Sequence, residues 1–222
     1  MDLRQRLSDR LTAIGVEVIS PERLSLHEVY FSLLSKWNRT INLTALPLDP
    51  ITDEAIDRLL VEPIAASRFA GDARSIVDLG SGGGSPAIPF WIEMPGAHLT
   101  MVESRSRKCA FLREAVRQIG PGLGTALDVR FEDLLDRHPE LAASADIVTI
   151  RAVRLDEPMV SLLAAILKPG GRVFRFANAN DSGSRPGLSL IESHLLFPGG
   201  TSELQILSCS TWNNWDEESG SS

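Results

Sequence analysis

The sequence predicts an α/β fold with a central, mostly parallel sheet, a C-terminal antiparallel hairpin and a helical N-terminal extension. Three observations carry this expectation. From Arg74 onward, short β-branched runs alternate with stretches of helical length, the pattern of successive βαβ units. Before Arg74, apolar residues recur mainly at helical spacings. Beyond Gly187, two extended runs flank Pro198-Gly199-Gly200, a turn signal.

Residues 2–14 and 22–37 read as the first two helices. The second carries Leu24, Val29, Phe31, Leu33, Leu34 and Trp37 on its apolar side and opens at Ser20-Pro21. A proline in a first turn loses nothing, because its missing N–H would be unpaired there anyway. A loop from Asn38 to Pro50 precedes a third helix over 51–67, with Pro63 arguing against its last turns. Five strands are predicted at 75–79, 98–102, 126–131, 146–150 and 172–176. Helices at 86–93, 106–119 and 156–167 lie between them. Leu167-Lys168-Pro169-Gly170-Gly171 reads as a helix stop and turn before the fifth strand. The hairpin strands are placed at 190–196 and 203–209. The expected organisation is therefore a helical extension over 1–70, an α/β domain over 71–215 and a disordered tail over 216–222.

Apolar residues make up 43% and charged residues 23%, enough to build a core and against wholesale disorder. No apolar run approaches the roughly 20 residues that cross a bilayer, and the first residues lack a signal-peptide core. A cytoplasmic chain, independent of membranes and monomeric, is expected. The two cysteines, Cys109 and Cys209, stand far apart with no partner at metal spacing, which predicts buried thiols and neither a disulfide framework nor a metal site. A formal charge of −7 is awkward for a nucleic-acid protein, yet arginines cluster at Arg105, Arg107, Arg113 and Arg117 with Lys108, and again at Arg151 and Arg154. The first group reads equally well as a solvated helix face.

The most informative segment is Asp78-Leu79-Gly80-Ser81-Gly82-Gly83-Gly84-Ser85-Pro86-Ala87, running from strand through glycine turn to helix start. Glycines let the backbone approach a ligand, and the helix start offers unpaired N–H groups. A dinucleotide fingerprint fits poorly, because Ser85 or Pro86 falls at a sensitive position, and no Gly-Lys-Ser/Thr supports a phosphate loop. The acid before the glycines, as D-x-G-x-G after a first strand, is typical of S-adenosylmethionine enzymes. It predicts a Rossmann-like class I methyltransferase fold, with Asp78, Gly80, Gly82 and Gly84 at the cofactor. Glu103, ending the second strand, stands where a carboxylate accepts ribose hydroxyls in nicotinamide and S-adenosylmethionine sites alike.

Trp37-Asn38-(x)3-Asn42-Leu43-Thr44, the glycine segment through Pro89, Glu103-Ser104, Arg130-Phe131-Glu132 and Arg151-Ala152 occur in that order. Together they resemble the glucose-inhibited-division-protein-B family, bacterial methyltransferases that modify N7 of a guanosine in 16S ribosomal RNA. The likeness spans roughly residues 25–210. It implies S-adenosylmethionine as cofactor, with Gly80 and Ser85 in its loop and Phe131 and Glu132 facing the adenine. It implies that Arg151 lies beside the methyl-transfer site and that 16S rRNA or the 30S subunit is the partner. The chain departs from the family at Glu54 and Arg58, where a histidine and a serine are usual, at Ile150 before the arginine, and at Ala177-Asn178 in place of lysine-glycine. These departures fall on the presumed RNA side.

A guanine N7 needs no general base, and the scattered histidines (His27, His98, His138, His194) suggest none. Arg151 reads either as the catalytic residue, contacting phosphate or cofactor and orienting the base, or as an interior arginine paired with Asp78 or Glu103. The W-N-x-x-x-N-L-T residues either pack the extension on the core or cover the pocket as a lid. Other functions compatible with the residues are a small-molecule or protein methyltransferase, a silent nucleoside-binding protein, and a nicotinamide-dependent oxidoreductase.

Overall fold

The computed structural model describes residues 2–16, 19–178, 181, 186–197 and 201–209. The expected tail and the Pro198-Gly199-Gly200 turn lie outside them. Helices α1 (Leu3–Ala13) and α2 (Pro21–Asn38) form where the apolar spacing places them. Ser20 accepts the Arg23 amide as the cap of α2.

The third helical region runs unbroken through Pro63 to the expected end, as α3 (Asp53–Ile56), a π-turn (Asp57–Val61) and α4 (Glu62–Ser67). The wide turn explains how the proline is accommodated. The Glu62 amide reaches back to the Asp57 carbonyl, and Pro63 has no N–H to return to the carbonyls of Arg58 and Leu59. Donors from elsewhere in the fold reach both.

Seven strands form one sheet in the order β3-β2-β1-β4-β5-β7-β6: β1 (Ser75–Leu79), β2 (His98–Glu103), β3 (Gly124–Asp128), β4 (Ala145–Arg151), β5 (Leu167–Asn178), β6 (Leu188–Leu195) and β7 (Ser202–Cys209). The first five run parallel, and β7 lies antiparallel between β5 and β6. The crossovers carry α5 (Ala87–Ile92), α6 (Ser106–Ile119), α7 (Leu134–Arg137) and α8 (Glu157–Ile166). Of the hairpin, β7 enters the sheet interior because Leu204, Ile206 and Leu207 are buried. On β6, Leu190, Ile191 and Leu195 stay exposed at the edge.

Among the boundaries that differ from the sequence reading, two have a local cause. β3 ends at Asp128, and Phe131–Asp133 turns as a short 3-10 segment, because Glu132 and Asp133 suit a helical first turn better than a strand. Helix α8 stops at Ile166, one residue before the expected end, and the turn signal is absorbed into β5 as an irregularity in its pairing with β4, with Gly170 at φ 77°.

Neighbouring residues of each central strand feed opposite faces. Ile76 and Ile147 join a core with α1, α2, α4, α5 and α6, while Val77 and Val148 join a second core with α8. The N-terminal helices thus share a core with the sheet. Both cysteines are buried and unbridged. Arg113 donates to the Ala126 carbonyl and Arg117 pairs with Glu114 across one turn, so part of the basic stretch on α6 is engaged within the fold.

Within Trp37-Asn38-x-x-x-Asn42-Leu43-Thr44, Trp37, Asn38 and Leu43 pack the extension on the core, while Asn42 is exposed. Asn38 Oδ1 accepts the amides of Leu43 and Thr44 at 2.8 and 3.0 Å, and Trp37 meets Phe111 of α6 edge-on at 5.9 Å. The turn so formed sets the Leu43 carbonyl 3.0 Å from where a side chain on Gly83 would begin. Tyr30, fully buried, donates to the Gly83 carbonyl at 2.7 Å. Tyr30→Phe leaves that carbonyl without its donor and is expected to cost about 1–3 kcal/mol, read as a lower urea midpoint with an unchanged m-value.

Candidate active site

Strand order reverses between β1 and β4, since β1 is followed by β2 on one side and β4 is followed by β5 on the other. Crevices in open α/β sheets form at such a point, outside the carboxyl ends of the strands. Here a cleft of about 580 Å³ opens there, lined by Gly80 after β1, Phe131 and Glu132 after β3, Arg151 to Arg154 after β4, and Met159 and Leu162 of α8. Four of the residues selected from the sequence, Gly80, Phe131, Glu132 and Arg151, therefore meet at one surface. Gly80 holds φ 78°, and a Cβ there would stand 3.1 Å from Val153 Cγ2 and 3.5 Å from Phe131 Cζ. Any larger residue would both strain the turn and narrow the cleft.

Behind the cleft, the glycine turn is held from β2. The Gly80 and Ser81 amides donate to the Val102 carbonyl. Glu103, 7% exposed, accepts the Gly82 amide on Oε2 at 2.9 Å and the Arg105 amide on Oε1 at 2.8 Å. Each oxygen keeps a lone pair for a further donor.

Asp78 is buried, and its Oδ1 accepts the Thr149 hydroxyl at 2.6 Å. Its Oδ2 is buried with no partner among the described residues. Burial pushes this carboxyl up to about 6, against the opposing pull of the Ser81 and Thr149 hydroxyls. An orphaned carboxylate oxygen at the first crossover suits a cationic ligand group.

Gly84 and Ser85 turn away from this cleft. Gly84 is buried at φ 83° against Ile88 and Tyr30, where a Cβ would lie 2.6 Å from Ile88 Cδ1. Ser85 donates to the Leu59 carbonyl at 2.9 Å. Both join the turn to the extension.

Arg151, with its side chain 14% exposed, pairs with neither Asp78 nor Glu103. Its Nη2 meets Glu62 Oε2 at 2.8 Å, its Nη1 donates to the Arg58 carbonyl at 2.6 Å, and its guanidinium lies 4.7 Å over the Phe176 ring. Nε is buried with no partner among the described residues. Burial lowers the guanidinium to about 10, with Glu62 acting against that fall. Glu62, 4% exposed, also faces Arg58 at 3.5 Å. The next residue, Ala152, sits at φ 55°, a left-handed conformation that costs a residue with a side chain about 1–2 kcal/mol. Sequence reasoning missed Glu62 and Thr149. The available signal for Glu62 was a lone carboxylate inside the apolar run Leu59-Leu60-Val61-Glu62-Pro63-Ile64.

The family described as rRNA small subunit methyltransferase G (GidB) matches residues 23–181. The chain belongs to this family. Ribosomal RNA small subunit methyltransferase G of Stenotrophomonas maltophilia (strain K279a) is 40% identical over 74% of this chain and 72% of its own. The protein of that name from Neisseria meningitidis serogroup C (strain 053442) is 31% identical over 77% and 78%. The fold is shared with a SAM dependent methyltransferase from Aquifex aeolicus, at TM-score 0.55 and 11% identity over 80% of this chain and 97% of that one. The GidB match covers every residue of the cleft and its supports, Glu62 included.

Removing the carboxylate in Glu62→Ala strands the Arg151 charge in the interior. The expected loss is roughly 3–5 kcal/mol of unfolding free energy, with a smaller loss in Glu62→Gln, both read by chemical denaturation.

Proposed function

We propose that this GidB-family chain methylates N7 of a guanosine in small-subunit ribosomal RNA, using S-adenosylmethionine. The observation that carries the reading is the orphaned, buried Asp78 Oδ2 beside a glycine turn, at the switch point of a methyltransferase sheet. The residues fit the cofactor: Asp78 suits its ammonium, Glu103 has lone pairs for ribose hydroxyls, and Phe131 offers an apolar face at the cleft mouth. When bound, S-adenosylmethionine supplies a methyl group already activated on a sulfonium.

The protein's share of the work is then positional. N7 carries a lone pair and no proton, so no side chain has to act as base. Arg151, Ala152 and Val153 form the wall that fixes where the acceptor meets the donor, and good alignment of two reactants is worth roughly 7–11 kcal/mol of barrier. Arg151 is the catalytic candidate because it lines the cleft with a charge whose place is dictated by Glu62 and the Arg58 carbonyl. Among the described residues no helix is long and apolar enough to cross a membrane, and no cluster of three or more His, Cys, Asp or Glu offers a metal site. We take the acceptor to be 16S rRNA within the 30S particle or its precursor, and the active form to be a monomer.

Purified protein, labelled methyl donor and undermethylated 30S subunits, naked 16S rRNA and small-molecule acceptors test this directly. Methyl incorporation into rRNA at guanine N7 is expected. Incorporation into small molecules alone would refute the reading.

The raised Asp78 carboxyl adds a pH signature. A carboxyl lifted from 3.8 to about 6 by burial favours the neutral form in the free protein. That contribution to stability is complete below the unfolded value of 3.8 and is lost as pH rises through about 6. Binding an ammonium needs the carboxylate, so affinity for S-adenosylhomocysteine should climb between pH 5 and 7, with proton release near the midpoint. Calorimetry in two buffers of different ionisation enthalpy reads both effects, and Asp78→Asn should flatten them.

A further inference from the structure

A second cavity, of about 640 Å³, lies alongside the cofactor cleft and shares Arg151 to Arg154 and Asp156 with it. Its far side is built from the end of β5, including Arg175, and from Arg58 of the π-turn. A volume of this size admits a nucleotide. Four guanidinium groups (Arg58, Arg151, Arg154 and Arg175) line it against two carboxylates, Asp156 and Asp181, in a chain whose overall charge is −7.

The four arginines are not equivalent. Arg151 is spent on Glu62. Arg175 pairs with Asp181 and donates to Gln205 at 2.8 Å. Arg58 bonds Ser202 and faces Glu62. Arg154 is 89% exposed, and its nearest carboxylate among the described residues, Asp156, stands 4.0 Å away. Asp156 is itself engaged in capping α8 through the Met159 amide at 3.2 Å. The mouth of the cavity therefore carries a solvated cation on the wall shared with the cofactor, with inner cations already neutralised behind it.

We propose that this cavity receives the acceptor nucleotide, and that Arg154 holds a phosphodiester of the RNA strand at its mouth. The assignment rests on the reading of the chain as an rRNA methyltransferase. A guanidinium fork matches a phosphate in geometry and charge. A phosphate clamp fixes register without reading sequence, which is what the wall beside the methyl donor requires.

The test uses the intact protein and undermethylated 30S subunits, with methyl-transfer kinetics measured across a salt series. Arg154→Gln, at an exposed position that should not disturb folding, is expected to raise the KM for 30S about tenfold. It should also reduce the slope of log affinity against log salt by about one. Arg154→Lys should restore the salt slope. Asp156→Asn keeps a cap acceptor for α8 while removing a competing charge, and is expected to lower the KM. Arg154→Gln with the wild-type KM and salt slope would overturn the phosphate site while leaving the rRNA activity standing. Absence of any methylation of 30S subunits or rRNA by the wild type would overturn the functional reading and the phosphate site together.

Discussion

Arg151 is charged, buried and located at the end of a central strand, and the surrounding structure is arranged around that fact. A guanidinium taken out of water must be paired and hydrogen-bonded or it destabilises the fold. The partner is Glu62, and Glu62 stands where it does because Pro63 and the π-turn open the helix one residue earlier. The same opening presents the Arg58 carbonyl to Arg151 and the Leu59 carbonyl to Ser85. One proline thus couples the N-terminal extension to both the glycine turn and the wall of the cleft.

This coupling gives the extension a reason to exist. The sheet alone would leave the back of the glycine turn open. Tyr30 and the Asn38-centred turn close it, through a hydroxyl on the Gly83 carbonyl and through Leu43 pressed against Gly83 itself. Two glycines of the turn serve different purposes. Gly80 keeps the cleft open beside Val153 and Phe131, while Gly84 lets Ile88 and Tyr30 approach the backbone. The strained backbone at Ala152 belongs to the same economy, since it turns the chain sharply between two cavities.

Net charge is a poor guide to such a molecule. An excess of acid over base coexists with four arginines around one cavity, because charge is distributed by fold position and not by composition. The basic stretch on α6, as conspicuous in the sequence, has members tied to Glu114 and to the Ala126 carbonyl.

The alternation of strands and helices, the glycine turn after β1, the carboxylate ending β2 and the family were all legible in the order of residues. All of these depend on local spacing: period-2 and period-3.6 patterns, and a turn that only glycines allow. Asp78, Gly80 and Glu103 stood out as candidates by their offsets from strand ends, whereas Phe131 and Arg151 stood out through the likeness to the family. Which partner Arg151 takes, how the helix passes Pro63, which hairpin strand enters the sheet and where Ser85 turns became visible only in the folded chain. Those outcomes depend on residues distant in the chain, such as Glu62 and Arg151, competing to satisfy buried charge and unpaired carbonyls. No local pattern encodes that competition.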